Sequence, residues 1–416
     1  MAKIKAFKGI RPTRDKVHLV ASRSYVTYDK QALYNKLSEN PFTFIHIINP
    51  EFKIPQENID QGIERFKRVK DRFQDFVDEG VYHTEKKESL YIYRQIKADQ
   101  THTGIIAASA IEDYINKKIK VHEHTITNRE IMFKDYLRTC GFNAEPVLLS
   151  YPDNDTIESV IDRYTEERPE YDFTSTNKVR HQLWVIDNPE DLAIIENAFE
   201  NVDSLYIADG HHRSASSARL CEEIQEENKD QANTNASYNY CMSYLIGESQ
   251  LRIYDFNRLV KDLNGLSVAD FLKEVEKTYE INLRGEKSFC PVQQDEISMY
   301  LDKKWYSLKA RPEFFDASCP VGSLDPEILS NNILDPILGI KDPKNDPRIA
   351  FLDGVKGMDG LQNVVDSGAM TVAFGLKPIS VEQLKRVADE ERIMPPKSTY
   401  IEPKLRSGMI IYSLES

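Results

Sequence analysis

The sixteen residues from Leu205 to Leu220 constrain the fold more than any other stretch of this chain. They read Leu-Tyr-Ile-Ala-Asp-Gly-His-His-Arg-Ser-Ala-Ser-Ser-Ala-Arg-Leu. The first four residues are apolar and partly β-favouring, whereas Ala215, Ala218 and Leu220 are compatible with a helix. The stretch therefore predicts a buried strand, a tight polar turn and a helix.

The predicted turn carries an acid, a glycine, two imidazoles and a guanidinium in succession: Asp209, Gly210, His211, His212 and Arg213. Glycine lets a ligand approach the backbone closely, and the amides that open the following helix favour an anion such as phosphate. Arg213 can add a bidentate phosphate contact. Asp209 can hold Mg²⁺ beside the phosphates or orient an attacking hydroxyl. These residue types predict a phosphate-binding turn.

Two other interpretations of the turn stay open. Asp209 can cap the helix in an ordinary surface turn, with both histidines solvated. His211 and His212 can instead be metal ligands, although adjacent side chains on a turn rarely converge on one ion.

A second polar stretch contains His122, Glu123 and His124. If it is a strand, His122 and His124 share a face, as metal ligands would, but no third ligand at the usual spacing follows. The lysines and histidines around Glu123 keep its carboxylate ionised, which suits a general base. A solvated turn is the alternative for this stretch.

The loop from Met394 to Gly408 concentrates phosphate donors in an otherwise acidic chain. Its prolines exclude a regular helix, and the donors are Lys397, Ser398, Thr399, Lys404 and Arg406. The alternative is a basic loop that leads into a final strand over Met409 to Leu414.

The remaining pattern predicts a mixed α/β layer. Asn188 followed by Pro189 is typical of a helix start, and an apolar stripe predicts an amphipathic helix before Gly80. Phe42 to Ile48 is predicted to be a strand, and two further strands, 238–245 and 251–254, are predicted to form a hairpin.

Composition excludes several classes of protein. The formal net charge of −13 over 416 residues disfavours binding to nucleic acid or an anionic membrane, because both need excess Lys and Arg. We find no apolar run of about eighteen residues, so we expect no membrane span and a cytoplasmic location. Five scattered cysteines without a C-x-x-C spacing argue against a disulfide scaffold.

The chain resembles an uncharacterised bacterial family, number 1015 among the domains of unknown function, over nearly its whole length. The segments that carry the resemblance are Gly9–Pro12, Phe44–Glu51, Tyr91–Gln95, His122-Glu123, His181–Trp184, the turn Asp209–Arg213 and the loop Pro395–Gly408. Where that family usually has a proline-rich tyrosine segment after the first strand, this chain has Ala21 to Tyr25.

The order His-Glu, Asp-Gly-His-His-Arg and Pro-Lys-Ser-Thr is also similar to that of the free-serine kinases built on the ParB and sulfiredoxin fold. The resemblance implies that Glu123 is the base that deprotonates the substrate hydroxyl and that Asp209 binds metal or acts as a catalytic acid. It assigns nucleotide phosphates to Gly210, His211, His212 and Arg213, and substrate or transferred phosphate to Lys397, Ser398 and Thr399. The kinases continue with Arg-His where this chain has Tyr400 and Ile401, so Lys404 and Arg406 are the candidates to replace that pair.

The resemblance implies a ParB/sulfiredoxin-like core over residues 101–250, an N-terminal α/β region over 1–100 and a C-terminal α/β region over 251–416. It implies a phosphotransferase that uses ATP or ADP with Mg²⁺ on a small hydroxylated metabolite, free serine being one candidate. A non-catalytic nucleotide- or metabolite-binding regulator is the alternative. A ParB-like DNA-binding protein is disfavoured by the acidic charge. A metal-dependent hydrolase would use His122, His124, His211 and His212.

Overall fold

The computed structural model describes residues 2–52, 61–98, 100–228, 233 and 235–415. The strands are β1 Ile4–Lys5, β2 Ile10–Pro12, β3 Tyr82–Thr84, β4 Leu90–Lys97, β5 Gln100–Ala110, β6 Ile119–Lys120, β7 Phe142–Asn143, β8 Val147–Tyr151, β9 Tyr171–Thr174, β10 Arg180–Ile186, β11 Leu205–Asp209, β12 Tyr240–Gly247, β13 Arg252–Tyr254, β14 Phe256–Val260, β15 Tyr279–Gly285, β16 Glu296–Leu301, β17 Lys304–Ala310, β18 Ile349–Asp353, β19 Val372–Gly375, β20 Tyr400–Glu402 and β21 Tyr412–Ser413. The helices are α1 Val17–Val20, α2 Lys30–Glu39, α3 Ile45–Ile48, α4 Ile63–Asp78, α5 Ile111–Ile115, α6 Thr127–Cys140, α7 Asp155–Thr165, α8 Pro189–Glu200, α9 His211–Glu227, α10 Val268–Glu276, α11 Asp325–Leu329, α12 Gly357–Asp366 and α13 Val381–Asp389.

The chain divides into two compact units. The first comprises Met1–Leu251 together with Pro403–Ser416, and the second comprises Arg252–Glu402. Both combine helices with sheets, so the mixed α/β class predicted from the sequence is confirmed.

Within the described residues, the first unit is built on a mixed sheet of nine strands. The order is β6-β11-β8-β12-β5-β4-β10-β9, with β1 paired to β5. β11 runs parallel to β6 and antiparallel to β8, and Tyr206 of β11 is in register with Lys120 of β6. Because β6 and β11 run in the same direction, the loop after β6 and the turn after β11 emerge at the same edge of the sheet.

The predicted strand, turn and helix after Leu205 are present as β11 and α9. The strand lies inside the sheet, and Ile207 is fully buried. The helix before it, α8, also begins as predicted, since the side chain of Asn188 accepts hydrogen bonds from the amides of Glu190 and Asp191. The local sequence therefore accounts for α8 and β11, the helix and the strand that precede the turn.

Two apolar clusters stabilise the first unit. One packs α7, α8 and α9 on the large sheet, with Ile157 and Phe199 fully buried. The other joins the apolar face of α4 to Phe142 and Ile411. The predicted amphipathic helix before Gly80 is thus confirmed as a core element.

Two predictions from the sequence are wrong. Within the predicted strand Phe42 to Ile48, Ile45–Ile48 form the short helix α3, and Ile45 and Ile47 are buried on it. An apolar run this short has no period that separates a strand from a buried helix. The expected hairpin over 238–245 and 251–254 is absent from the described pairings, because β13 pairs with β20 instead.

The second unit contains an antiparallel sheet with the order β15-β17-β16-β19-β14-β18. Its apolar cluster includes Phe271 of α10 and Phe374 of β19, which are fully buried. The final strand predicted over Met409 to Leu414, in the first unit, is only the two residues of β21. Among the helices of the described residues, none combines the length and the hydropathy that a membrane span requires.

Candidate functional site

The backbone between β11 and α9 requires glycine. Gly210 has φ 106° and ψ 26°, in the left-handed region. A Cβ at this position would lie 3.0 Å from Nε and Nη2 of Arg213, so the guanidinium packs directly against the turn. No side chain caps the start of α9. The first amides and the positive end of the helix dipole therefore favour an anion at the end of β11.

Asp209, the last residue of β11, is held by Lys404. The Lys404 ammonium lies 3.1 Å from the Asp209 carboxylate, and the Asp209 side chain keeps 41% of its surface exposed. Burial by itself would raise the pKa of this carboxyl, but the charges of Lys404 and Arg213 outweigh it and lower the pKa. Asp209 is therefore ionised at neutral pH and open to a ligand.

Arg213 is oriented by two oxygen acceptors. Its Nη1 donates to the Pro146 carbonyl oxygen at 2.6 Å and lies 3.1 Å from the Glu145 carboxylate. The other oxygen of Glu145 accepts a hydrogen bond from Ser407 Oγ at 3.0 Å. Glu145, which the sequence analysis did not single out, thus joins the turn to the C-terminal segment.

The two histidines of the turn bind the loop that follows β6. His211 Nε2 accepts a hydrogen bond from the His122 amide at 3.4 Å, and His212 Nε2 accepts one from the Ile126 amide at 3.1 Å. Burial lowers the pKa of His211, and the neighbouring His122, His212 and Arg213 lower it further. His211 is therefore neutral, with its ring proton on Nδ1.

Glu123 lies on the other side of His211. Its carboxylate is 3.7 Å from His211 Nδ1, and its side chain is 44% exposed. Although 86 positions of sequence separate Glu123 from Asp209, the parallel pairing of β6 with β11 brings Glu123 beside the turn. The carboxylate faces both a neutral imidazole and solvent, an arrangement in which it can accept a proton from a bound hydroxyl.

His122 is a functional candidate that the sequence analysis considered only as a metal ligand. It is 1% exposed, and its ring stands perpendicular to that of His211 at a centroid distance of 4.5 Å. Within the described residues, neither ring nitrogen has a hydrogen-bond partner. Burial lowers the pKa of His122 to about 4, against the opposing charge of Asp209. Two unsatisfied buried nitrogens beside the turn are the feature expected of a group that meets a ligand or a water.

The histidines do not form the metal site considered from the sequence. β6 ends at Lys120, so His122 and His124 are not on a strand, and His122 is buried while His124 is exposed. Across the part of the chain that the structure describes, no three or more His, Cys, Asp or Glu side chains are grouped to hold a metal. A transition-metal hydrolase therefore lacks its ligand set among these residues.

The C-terminal candidates occupy different environments. Lys404 contacts Asp209, whereas Arg406 is only 8% exposed and donates from Nη2 to Ser175 and Asn177. Lys397, Ser398 and Thr399 belong to the second unit. There Lys397 has φ 59° and lies over the ring of Phe256, and Ser398 Oγ donates to the Pro395 carbonyl oxygen at 2.7 Å. The structure thus brings Glu123, Lys404 and the turn together within the first unit.

Comparisons with known proteins give a family and distant structural neighbours. The model of the family described as Protein of unknown function (DUF1015) matches residues 4–327. A free serine kinase in complex with AMP aligns at a TM-score of 0.36 and 12% identity, over 75% of this chain and 92% of the kinase. A conserved hypothetical protein from Pyrococcus furiosus aligns at 0.34 and 14%, over 77% and 99%. SbnI with a C-terminal truncation from Staphylococcus aureus aligns at 0.37 and 11%, over 73% and 85%. No curated protein matches the chain significantly in sequence.

Proposed function

We propose that this chain, which belongs to the family described as Protein of unknown function (DUF1015), is a nucleotide-dependent phosphotransferase that acts on a small hydroxylated metabolite. One observation carries the proposal. An accessible carboxylate, Glu123, lies 3.7 Å from a neutral histidine at the uncapped start of α9. A base and an anion-binding helix end are thus adjacent, which is the combination that phosphoryl transfer to a hydroxyl requires.

The turn supplies the phosphate-binding part of this proposal. The left-handed Gly210 leaves the backbone open, and the first amides of α9 would bind the phosphates, while His211 and His212 hold the loop after β6 against the turn. Arg213 and Lys404 add positive charge at the same edge of the sheet. On phosphate binding, Lys404 exchanges part of its interaction with Asp209 for a phosphate oxygen, because ammonium groups bind both kinds of acceptor.

Glu123 has the role of general base. It takes the proton of the acceptor hydroxyl as that oxygen bonds to the transferred phosphorus. At the same time, the bond between this phosphorus and the oxygen of the leaving nucleotide breaks. Neutral His211 accepts a hydrogen bond from the His122 amide at Nε2, which fixes its ring with Nδ1 3.7 Å from the Glu123 carboxylate. Such positioning supplies much of the rate in reactions of this class.

Mg²⁺ fits this site only as a phosphate-held ion. Asp209 is ionised and partly exposed, but it is a single carboxylate, and no cluster of three ligands occurs in the described residues. Mg²⁺ is commonly held by one or two carboxylates together with substrate phosphates, so the residues present suffice. When bound, the ion would neutralise charge on the phosphates.

The test is phosphate transfer by the purified full chain. ATP or ADP with Mg²⁺ is incubated with free serine and a panel of hydroxylated metabolites, and products are identified by phosphorus NMR and mass spectrometry. We expect Glu123→Gln to lower turnover by about a hundredfold or more while nucleotide affinity is retained. We expect Asp209→Asn to abolish turnover with an unchanged fold.

Glu226→Gln is the matched control, because Glu226 is exposed near the far end of α9. It should leave turnover and nucleotide affinity unchanged. Wild-type protein that binds nucleotide but yields no product with any acceptor would contradict the enzyme and support the regulatory alternative. Turnover that survives Glu123→Gln would remove Glu123 from the mechanism.

A further inference from the structure

A second group of polar side chains lies in the first unit, at the edge of the large sheet opposite the turn. β8 runs parallel to β12 and antiparallel to β11. The last residues of β8 and β12 therefore meet at one edge, whereas β11 ends at the other. Tyr151, which ends β8, is in register with Gly247, which ends β12. Residues in register on neighbouring strands point to the same face, so the position that lacks a side chain lies beside the side chain of Tyr151.

Two carboxylates border the space over Gly247. A Cβ at this position would lie 2.6 Å from Asp153 Oδ1 and 3.4 Å from Glu158 Oε1. Gly247 has φ −59° and ψ 141°, a conformation that any residue adopts, so the backbone does not require glycine here. The absence of a side chain is what lets the two carboxylate oxygens converge on this space.

These carboxylates have no counter-ion. Among the described residues, Asp153 and Glu158 form no ion pair, and neither does Asp162, one turn of α7 beyond Glu158. The Ser249 amide donates to Asp153 Oδ1 at 3.2 Å. Burial raises the pKa of Glu158, and the charges of Asp162 and Asp153 raise it further. The arrangement therefore concentrates negative charge that a bound cation would neutralise.

The hydroxyl of Tyr151 is buried without a partner beside this charge. Tyr151 is fully buried, and its Oη has no hydrogen-bond partner among the described residues. Glu158 and Asp153 are the charged groups that act on the hydroxyl, since both raise its pKa beyond the effect of burial. Buried hydroxyls are nearly always hydrogen-bonded, so an unpartnered one marks a place that a ligand or a water fills.

The usual role of acids at the start of a helix explains only part of this arrangement. Asp155 and Glu158 lie in the first turn of α7, where the positive end of the helix dipole stabilises them. The side chain of Asn154 caps the helix by accepting from two amides. Neither role involves the hydroxyl of Tyr151, which belongs to the sheet, or the open space over Gly247.

We propose that Asp153, Glu158 and Tyr151 bind the ammonium group of a small primary amine. An alkylammonium has three N–H donors, and the two carboxylates and the phenol oxygen are three acceptors around one space. Ca²⁺ fits less well, because it takes about six to eight oxygen ligands and the described residues contain no cluster of three acidic, His or Cys side chains that could hold a metal. The amine site is independent of the proposed function, since it shares no residue with the turn.

The test is calorimetric titration of the full chain with n-butylamine at neutral pH, where the amine is protonated. Tetramethylammonium, which has the charge but no N–H donor, is the second probe. We expect n-butylamine to bind and tetramethylammonium to bind at least about tenfold more weakly. Asp153→Asn and Glu158→Gln should each weaken n-butylamine binding by about tenfold or more, because each replaces a charged acceptor by a neutral one.

Asp155→Asn is the matched control. Exposed Asp155 is the first residue of the same helix, so its substitution removes the same charge and the same interaction with the helix dipole. This variant should bind n-butylamine as the wild type does. An equal loss of affinity in Asp155→Asn would refute the site, because it would show that the overall charge of the helix start attracts the amine.

Two further variants separate binding from stability. Tyr151→Phe removes an unpartnered hydroxyl, so the urea midpoint should not fall, whereas n-butylamine affinity should fall by about threefold to tenfold. Gly247→Ala keeps an allowed backbone but places a methyl group in the space between the carboxylates, so it should abolish binding. Should Glu158→Gln fail to fold by circular dichroism, these two variants decide the matter.

Several results would overturn the amine site: no binding of n-butylamine, equal binding of the two probes, or wild-type affinity in both Tyr151→Phe and Gly247→Ala. Mg²⁺ and Ca²⁺ are titrated as well. Binding of either ion more tightly than n-butylamine, with loss in Glu158→Gln, would overturn the assignment to an ammonium and make the site one for a metal. Nucleotide titration is the separate readout for the proposed function, and Asp153→Asn should leave it unchanged.

Discussion

Replacing Gly210 by alanine tests whether the turn is a nucleotide site rather than an ordinary connection. The residue has φ 106°, and left-handed backbone costs a residue with a side chain about 1–2 kcal/mol. The added Cβ would also meet Nε and Nη2 of Arg213 at 3.0 Å. The guanidinium must then move by a few tenths of an ångström, which lengthens its contacts with Pro146 and Glu145.

Both effects reduce stability, but only the second one changes the site. A hydrogen bond from a charged donor is worth about 1.5–3 kcal/mol. Displacing the guanidinium should therefore remove much of this free energy from the binding of a phosphate. We expect nucleotide affinity to fall about tenfold or more, equivalent to about 1.4 kcal/mol. The free energy of unfolding should fall by about 1–3 kcal/mol.

Gly80→Ala is the matched control. Gly80 also has a left-handed backbone, φ 73°, and follows α4 in the same unit, but a Cβ there meets no atom within 4 Å. It should lose about 1–2 kcal/mol of stability and keep wild-type nucleotide affinity. Affinity is measured by calorimetry with ATP and ADP, and stability by urea unfolding. If both alanine variants bind nucleotide as the wild type does, the turn is not the phosphate site.

Two further predictions concern stability. The pKa of His122 is about 4 and that of His181 about 3, both below the ordinary value, so the unfolded chain takes up protons first as pH falls below about 6.5. The free energy of unfolding should therefore decrease by about 1.6 kcal/mol per histidine between pH 6.5 and pH 5. Urea unfolding of His122→Gln should show a loss smaller by that amount, and an identical loss would contradict the neutral buried state. Asn188→Ala removes the side-chain cap of α8 and should cost about 1 kcal/mol in the same assay, whereas exposed Asn197→Ala on that helix should cost less; equal losses would refute the capping role.

The local sequence was sufficient to predict a helix, strand or turn wherever the interactions that determine it act over a few residues. The apolar run, Asp-Gly and the alanines after it predicted β11, the turn and α9, because strand propensity, glycine geometry and helix propensity all act within a few residues. The start of α8 at Asn188 followed from a side chain that bonds amides two and three residues away. The same reasoning failed for Phe42 to Ile48, where a short apolar run fits a strand and a buried helix equally well.

The pairing of strands could not be predicted from the local sequence. β13 pairs with β20 rather than with β12, although β12 is its neighbour in sequence. The pairing depends on contacts between residues far apart in the chain, and no local pattern encodes them. The parallel pairing of β6 with β11 is of the same kind, and it brings Glu123 beside His211.

The amino-acid sequence by itself determined which residue types the site can draw on. They are a His-Glu pair after β6, an acid-glycine-histidine-arginine turn after β11 and a basic C-terminal segment. The tertiary structure alone decided their partners. It placed Lys404 on Asp209, set Glu123 beside His211 and left the ring nitrogens of His122 without a hydrogen-bond partner among the described residues. The reason is physical: charge and hydrogen-bonding capacity belong to a side chain, whereas the pKa, the burial and the counter-ion of that side chain depend on what the fold packs around it.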